Sequence, residues 1–453
     1  MKNNPWKLFA LGYWIISLFI VFYFNGTGKE ADSTMHFLIA KYAPVHPELY
    51  LNHWGKPLFT LLSSPFAAFG FAGIKLFNIS CAFGASYFSY QIAQKLRLKW
   101  AILAPLFYFI FPVSFLTAFS GLTEPLCALT VTATIYLFQH KKLLLSAILI
   151  SFTPFMRSEG LIFIGVFALF FIAVRNWKAV ILLSTGHLLY SIVGAFYYQD
   201  LLWVFTKIPY AHLSSHYGSG GIFHFAEKLT YLMGIPLLVF FILGAIRILI
   251  GWKSMKMESR LILTLFLSFF VAHSLFWYLE VFNSMGLKRV FAAVTPFMAL
   301  ISLFGFDLIQ KIQLDWARKS LIAISLLLIV VFPFTSNPAA VEWEDLNLTE
   351  AQENAISVAA FIKQEKKINN RFIYTDPFLS HALNVDPFNK QKHQVLAQKK
   401  GIVSPTLKSG DCIIWDNWHS VIDYGVSAEM LSNLKLIKEF KQGKSTYKIY
   451  QKE

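Results

Sequence analysis

Residues 25–57 read NGTGKEADSTMHFLIAKYAPVHPELYLNHWGKP and directly follow the first hydrophobic run of the chain. This stretch places Glu30, Asp32, His36, His53 and Lys56 beside an apolar segment. In a helix that begins near residue 31, Asp32 and His36 are four residues apart and therefore lie on one face. The spacing predicts a carboxylate–imidazole hydrogen bond, which would form an acid–base pair at a membrane surface.

The same residues also have a purely structural interpretation. Asp32, Ser33 and Thr34 are typical of a helix start, because Asp and Ser oxygens accept hydrogen bonds from the free amides of a first turn. The stretch alone does not decide between a helix cap and a chemical site.

The composition of the chain is that of an integral membrane protein. Of its 453 residues, 56% are hydrophobic, 17% are aromatic and only 14% are charged, which is too apolar for a soluble domain of this size. The net charge is +15, but the basic residues stand in small groups between hydrophobic runs. They are therefore expected to orient the chain in the membrane rather than to bind nucleic acid. The three cysteines, Cys81, Cys127 and Cys412, have neither disulfide nor metal-site spacing.

The hydrophobic segments predict about eleven membrane spans, since a span needs about 20 apolar residues and shorter spans occur where neighbouring helices cover them. They are 8–24, 72–93, 100–117, 124–139, 143–156, 160–175, 178–198, 229–250, 261–279, 290–309 and 320–335. Lys and Arg are concentrated in alternate connections, which the positive-inside rule assigns to the cytoplasm together with the N-terminus. The other connections are expected to face outward: 25–70, 120–123, 157–159, 199–228, 280–289 and everything after residue 335.

Charged residues on the outward side lie close to span ends. Glu124 stands in TEP, Arg157 and Glu159 in RSEG, and Lys288 and Arg289 in KRV. Charges this near hydrocarbon are costly unless they are paired, solvated or functional. A single outward cavity that collects them is predicted, and the alternative at each position is a charge that snorkels to water at a helix end.

The outward loop 199–228 contains two histidines and a Gly-Ser-Gly-Gly run at 218–221. Four small residues in a row predict a mobile flap. His212 and His216 are four residues apart, a spacing that suits zinc on a helix. No nearby Cys or acidic residue completes such a site, so both are also candidate hydrogen-bond donors to a phosphate.

From residue 337 the pattern changes to that of a small α/β domain on the outer surface. The sequence predicts a helix at 349–367 and strands at 371–375, 412–415, 434–440 and 446–450. The Lys- and Gln-rich stretch 389–400 is expected to be a solvated loop. The chain is therefore divided into a membrane module, 1–336, and a soluble extracytoplasmic domain, 337–453.

Several motifs in residues 1–335 together resemble the GT-C superfamily. They are the EAD acidic pair at 30–32, HWGKP at 53–57, TEP at 123–125, RSEG at 157–160 and KRVFAAVTPF at 288–297. Members of this superfamily are integral-membrane glycosyltransferases that use polyprenyl-phosphate sugars. They include phosphatidylinositol mannosyltransferases, aminoarabinose transferases and protein O-mannosyltransferases.

The resemblance implies a mannosyltransferase-like, inverting enzyme that moves a sugar from a polyprenyl-phosphate donor to a hydroxyl of a lipid, glycan or protein acceptor. It implies that Asp32, or else Glu30, is the catalytic carboxylate, and that Lys56, Arg157 and Arg289 lie near the donor phosphate. Arginine can hold two phosphate oxygens at once, which favours the two arginines. The remaining candidate binding residues are His36, His53, Glu124, Glu159, His212, His216 and Lys288.

Alternatives from other classes stay open at this point. A transporter for a polar solute or a lipid-linked sugar would use the same buried charges as a translocation path, and a lipid-linked oligosaccharide ligase or polymerase would use the large outward loop. Glu30 and Asp32 can also share a Mg²⁺ or Mn²⁺ ion with a donor phosphate. The expected location is a bacterial inner membrane, with the C-terminal domain in the periplasm.

Overall fold

The computed structural model describes residues 5–28, 31–210, 218–335, 343–365, 371–399 and 402–452. Within these ranges, apolar helices extend to Phe334, and an α/β unit begins at Trp343. The predicted boundary between residues 336 and 337 lies outside the described residues.

The first part is almost entirely helical. Its α-helices are α1 (Pro5–Tyr23), α2 (Ala31–Tyr42), α3 (Pro57–Ala67), α4 (Phe71–Lys95), α5 (Leu103–Ile110), α6 (Pro112–Ala118), α7 (Glu124–Gln139), α8 (Leu143–Ile150), α9 (Gly160–Ala173), α10 (Trp177–Leu182), α11 (Thr185–Tyr198), α12 (Trp203–Thr206), α13 (His224–Glu227), α14 (Leu229–Met233), α15 (Ile235–Ile250), α16 (Met257–Tyr278), α17 (Thr295–Phe306) and α18 (Asp315–Val331). Short 3-10 helices lie at Pro47–Leu51, Thr153–Phe155, Lys288–Val294, Asp307–Lys311 and Phe332–Phe334.

Each predicted membrane segment contains helix, but the count of about eleven spans is not confirmed. Five helical stretches of the described chain are long and apolar enough to cross a bilayer: Pro5–Tyr23, Trp177–Tyr198, Met257–Tyr278, Lys288–Lys311 and Asp315–Phe334. Prolines divide other segments, as Pro112 does where α5 ends and α6 begins. Helix α4 has the length of a span, but it buries polar side chains such as Asn78 and Ser89 against its neighbours.

The connections that were expected to share the cytoplasmic side contact one another. Lys99 Nζ donates to Gln310 Oε1 at 2.6 Å, and Arg247 pairs with Asp307 at 3.2 Å. Gln310 and Asp307 lie beyond the last residue of α17, whereas Arg289 precedes its first residue. The Lys- and Arg-rich connections therefore lie at one end of the buried helix α17. Arg289, one of the charges that were expected to face outward, lies at the other end.

Helices α15 and α17 approach closely because each carries a glycine where they cross. A Cβ atom on Gly244 would lie 1.8 Å from the carbonyl oxygen of Ile301, and one on Gly305 would lie 1.9 Å from that of Phe240. Small residues of this kind allow helix backbones to touch within a membrane. Because α17 continues directly from Lys288–Val294, this packing fixes the position of Arg289.

The second part is a mixed sheet covered by two helices. It contains α19 (Glu350–Gln364), α20 (Pro377–Leu383), β1 (Phe372–Tyr374), β2 (His393–Val395), β3 (Ala397–Lys399), β4 (Ile402–Ser404), β5 (Cys412–Asp416), β6 (Lys435–Gln442) and β7 (Ser445–Gln451). Five strands pair in the order β2-β1-β5-β7-β6. Strand β1 is parallel to β2 and β5, and β7 is antiparallel to β5 and β6. The predicted helix and the four predicted strands coincide with α19, β1, β5, β6 and β7.

The expectation of a solvated loop at 389–400 is wrong, because this stretch contains β2 and β3. His393 is buried, and its ring nitrogens lie 3.0 Å from the carbonyl oxygen of Pro387 and 3.2 Å from that of Tyr374. Leu396 is also buried. Strand β2 of this stretch pairs with β1, which lies earlier in the chain, so the local Lys- and Gln-rich composition does not reveal this partner.

The α/β unit packs on α2. Lys41 Nζ donates to Asn384 Oδ1 at 2.9 Å, and the ring of His381 meets the ring of Phe37 edge-on with centroids 5.3 Å apart. The helix that carries Asp32 therefore lies between the membrane helices and the sheet.

Replacing Gly305 by leucine is expected to destabilise the membrane part, because the new side chain would overlap the backbone of α15. Overpacking of a buried contact costs about 1–3 kcal/mol. Thermal unfolding of the purified protein in detergent measures the effect. Gly165→Leu on α9 is the matched control, since a Cβ atom on Gly165 would have no neighbouring atom within 4 Å. An equal fall of Tm in both variants would contradict the role of the crossing.

Candidate active site

A cavity of about 520 Å³ opens among α2, the start of α7, the turn before α9, α16 and the 3-10 helix Lys288–Val294. Its volume lies in the range of small-molecule sites, about 300–1,000 Å³. Three carboxylates and three cations line it, namely Asp32, Glu124, Glu159, Lys56, Arg157 and Arg289. The structure therefore brings together charges from widely separated parts of the chain.

Asp32 forms an ion pair with Arg289, whose Nη2 donates to Asp32 Oδ2. The Asp32 side chain is 42% exposed and that of Arg289 is 15% exposed. Burial raises the pKa of the Asp32 carboxyl, and the positive charges around it, with Arg289 first among them, lower it. The effect of the charges is larger, so the pKa of Asp32 lies below its usual value. Asp32 is therefore ionised at neutral pH and is held at the cavity wall.

Arg157 lies between two carboxylates. Its Nη1 is 2.6 Å from Glu124 Oε1, and its Nη2 donates to Glu159 Oε1 at 2.7 Å. The side chain of Glu124 is only 1% exposed, so its charge depends on Arg157 for compensation. Burial raises the pKa of Glu159, but the adjacent Arg157 lowers it to about 2. His273 Nε2 lies 3.8 Å from Glu159 Oε1 on the other side.

The ammonium group of Lys56 is bound by two hydroxyls. Its Nζ donates to Ser158 Oγ at 3.1 Å and to the hydroxyl of Tyr210. Lys56 immediately precedes α3 with φ of +62°, which is uncommon for a residue other than glycine. Such backbone strain is found most often at functional sites. The turn thus holds a cation at the cavity wall beside the Arg157 cluster.

The predicted hydrogen bond between Asp32 and His36 is absent from the described contacts. The His36 ring instead stacks on Trp54 with centroids 4.8 Å apart and meets Phe59 at 5.6 Å. Burial lowers the pKa of His36 to about 3, so the ring is neutral at neutral pH. Among the described residues, the hydrogen bond to the Asp32 carboxylate comes from Arg289, and none comes from a backbone amide in the first turn of α2.

Several buried polar atoms of cavity-lining residues have no hydrogen-bond partner within the described part of the chain. They include His36 Nδ1, Glu124 Oε2, Arg157 Nε and His273 Nε2. Buried polar groups normally have partners. A polar ligand or water in the cavity would satisfy them.

One wall of the cavity is apolar. It is formed by residues of α9, α13, α16 and the connection that follows α16: Leu161, Ile162, Phe225, Phe276, Phe282, Met285, Leu287 and Val290. A cavity lined by both charged and apolar side chains suits a ligand with a charged head and a hydrocarbon tail.

The sequence-predicted site residues divide into three groups. Those that line the cavity are Asp32, His36, Lys56, Glu124, Arg157, Glu159 and Arg289. Two lie elsewhere: His53 Nε2 contacts the carbonyl oxygen of Trp203 at 3.2 Å, and the Lys288 ammonium lies 4.9 Å from the ring centroid of Tyr231. Glu30, His212 and His216 fall outside the described residues.

The cavity lining also includes Trp54, Ser158, Tyr210 and His273, which sequence reasoning did not select as site residues. His273 had a detectable signal, because a titratable residue inside an apolar span is itself a functional candidate. The other three had none, since aromatic and hydroxyl residues are common in loops.

Among the described residues, no group of three or more His, Cys, Asp or Glu side chains is placed to hold a metal ion. The carboxylates of Asp32, Glu124 and Glu159 are each paired with an arginine. Glu30, the other residue considered as a ligand of a Mg²⁺ or Mn²⁺ ion shared with Asp32, lies outside the described ranges.

No model of a known protein family and no curated protein sequence matches the chain. Its structure does match crystal structures of ArnT from Cupriavidus metallidurans. With ArnT bound to undecaprenyl phosphate the TM-score is 0.65, at 9% sequence identity over 99% of this chain and 98% of that chain. With ArnT in the apo state the TM-score is 0.66, at 8% identity over 98% of both chains. The chain therefore has the fold of ArnT over nearly its whole length, including the C-terminal α/β unit.

Proposed function

We propose that this protein is a membrane glycosyltransferase of the GT-C superfamily that moves a sugar from a polyprenyl-phosphate donor to an acceptor hydroxyl at the extracytoplasmic face. The observation that carries the proposal is the ionised Asp32 at the wall of the cavity, paired with Arg289 in a cavity that apolar side chains also line. The fold supports it, because the ArnT structure of the same fold contains undecaprenyl phosphate.

In this mechanism Asp32 is the general base. It accepts the proton of the acceptor hydroxyl while that oxygen attacks the anomeric carbon of the donor sugar. The bond between the anomeric carbon and the phosphate oxygen breaks through an oxocarbenium-like state, and polyprenyl phosphate leaves with one additional negative charge. A single displacement of this kind inverts the anomeric centre.

Arg289 and Lys56 compensate the charge of the leaving phosphate. In the structure the guanidinium of Arg289 binds Asp32. A donor phosphate competes for this guanidinium, and the two-point geometry of arginine favours phosphate. Donor binding thereby releases the Asp32 carboxylate, which is then free to accept a proton.

The apolar wall gives the polyprenyl chain a place beside the membrane helices. A hydrocarbon tail can lie against side chains such as Leu161, Phe276 and Val290 without leaving the bilayer. This arrangement explains how a chain without a nucleotide-binding motif can use an activated sugar, since the lipid rather than a nucleotide carries it.

The distribution of Lys and Arg supports an extracytoplasmic cavity, with the N-terminus in the cytoplasm and residues 337–453 as a periplasmic domain. The charges gather at one end of α17 rather than along a path through the bundle, which favours a transferase over a transporter. The mannosyl specificity implied by the resemblance has no support from the ArnT match, so the donor sugar is left to experiment. The acceptor is a lipid, a glycan or a protein.

Release of polyprenyl phosphate from a panel of purified polyprenyl-phosphate sugars, including mannosyl and aminoarabinosyl donors, tests the proposal. We expect release with at least one donor, and a fall of about 10²- to 10⁴-fold for Asp32→Asn, because the amide cannot accept the proton. Asp315→Asn is the matched control, since Asp315 is 61% exposed and pairs with Arg318. If the wild-type protein releases polyprenyl phosphate from none of the donors, the proposed function is wrong. Near-normal transfer by Asp32→Asn would exclude Asp32 as the base.

Arg289→Ala is expected to raise the KM for the donor and to move the acid limb of the pH–rate profile to higher pH. The charge of Arg289 lowers the pKa of Asp32, so its loss raises that pKa, and the base becomes protonated at a pH where the wild-type base is still ionised. Steady-state kinetics between about pH 4 and 8 measure both effects. Arg318→Ala serves as the control, and an unchanged KM and acid limb in Arg289→Ala would contradict both roles of Arg289.

Arg157→Ala is expected to destabilise the protein by about 3–5 kcal/mol, because it leaves the buried Glu124 without its counter-charge. Adding Glu124→Gln should recover part of this loss, since the neutral amide needs no cation. Thermal unfolding in detergent gives the comparison. A stable Arg157→Ala variant that has lost only donor affinity would show that Arg157 serves the phosphate rather than the carboxylates.

A further inference from the structure

The segment before α2 is held by the C-terminal α/β unit. The backbone N–H of Gly26 donates to the carbonyl oxygen of Leu346 at 2.9 Å. A Cβ atom on Gly26 would lie 2.4 Å from this oxygen. The contact is thus a close backbone approach that requires glycine at position 26.

The next residue, Thr27, accepts a side-chain hydrogen bond from the same unit. Gln352 Nε2 donates to Thr27 Oγ1 at 2.6 Å. Thr27 is 1% exposed and Gln352 is 7% exposed. The other end of the Gln352 amide is already fixed, because its Oε1 accepts from the backbone N–H of Thr349 at 3.1 Å in the capping box of α19.

Thr27 is in turn bonded to the first turn of α2. Its carbonyl oxygen accepts from Ser33 Oγ, and its Oγ1 lies 3.4 Å from Thr34 Oγ1, which donates to it. The backbone N–H of Gly121 donates to Ser33 Oγ at 2.7 Å and ties the same turn to the segment before α7. Ser33 and Thr34 directly follow Asp32, so the position of Thr27 and the direction of the Asp32 side chain are coupled.

The C-terminal unit also holds the opposite end of α2. Lys41 Nζ donates to Asn384 Oδ1 at 2.9 Å, and just beyond the helix His46 Nε2 lies 2.7 Å from Asp386 Oδ2. A helix of twelve residues is about 18 Å long. Contacts at both of its ends restrain its rotation and its translation together.

We propose that the C-terminal α/β unit positions the Asp32 carboxylate in the cavity through the hydrogen bond between Gln352 and Thr27. Neither Gln352 nor Thr27 lines the cavity, so both are positioning residues that act through Ser33 and Thr34. The inference rests on the proposed role of Asp32 as general base. A small displacement of a catalytic group costs rate steeply, whereas binding of the lipid donor by the cations and the apolar wall does not depend on this contact.

The experiment compares Thr27→Val with two matched variants in the full-length protein. Valine keeps the shape of threonine but removes the acceptor for Gln352, so kcat should fall about tenfold while the donor KM stays unchanged. Thr27→Ser keeps the hydroxyl and should retain the wild-type kcat. Thr375→Val removes a hydroxyl that bonds Asp416 and Ser420, both within the α/β unit, and should also leave kcat unchanged.

A wild-type kcat in Thr27→Val, or an equal fall in Thr27→Val and Thr375→Val, would overturn the proposal. If Thr27→Val does not accumulate in membranes, Gly26→Ala carries the same test, because the added methyl group forces the segment away from Leu346.

Hydrogen exchange of the α2 amides, residues 31–42, gives a readout that does not depend on transfer. Faster exchange there in Thr27→Val than in Thr375→Val supports the coupling, and equal exchange contradicts it. If the wild-type protein transfers sugar from no donor, the proposed function fails, and the exchange measurement still decides whether the α/β unit restrains α2.

Discussion

An ion pair joins Asp32 and Arg289, two residues that are 257 positions apart in the sequence and that both line the cavity. Charges near hydrocarbon persist only where a counter-charge or water offsets the loss of solvation. This pair joins α2, which lies between the membrane helices and the sheet, to the segment that leads into the buried helix α17. The position of Arg289 comes from the core, through the close crossing of α15 and α17. The position of Asp32 comes from outside, through the contacts of α2 with the α/β unit.

The two arginines of the cavity have different surroundings. Arg157 is enclosed by Glu124 and Glu159, and removal of Arg157 leaves the buried Glu124 without its counter-charge. Arg289 faces a carboxylate that is 42% exposed, so an anion entering the cavity can replace that carboxylate at modest cost. The first arrangement is suited to holding α7 and the turn before α9 together. The second is suited to exchange of partners during a reaction.

The C-terminal α/β unit has a part in the geometry of the site although it contributes no described residue to the cavity lining. Its contacts with the membrane part are polar and directional at Thr27, Lys41 and His46. Such contacts fix orientation more than they contribute net stability, because each replaces hydrogen bonds to water. A helix as short as α2 benefits from this kind of support, since its length gives it little stability in isolation.

By itself, the sequence determined the membrane character of the chain, the positions of its helical segments and most strands of its C-terminal unit. These features follow from composition and from local periodicity, which are properties of neighbouring residues. It also indicated most of the charges that line the cavity, because charges next to hydrocarbon stand out in any segment.

Only the tertiary structure decided how these charges pair. The Asp32–His36 hydrogen bond suggested by helical spacing is replaced by the Asp32–Arg289 pair, because Trp54 holds the His36 ring and Arg289 arrives from a distant element. The hydrogen bonds of Lys56 with Ser158 and Tyr210, and that of Gln352 with Thr27, likewise join residues that are far apart in the sequence. Pairings of this kind depend on how the helices pack, and no local pattern of residues records that packing.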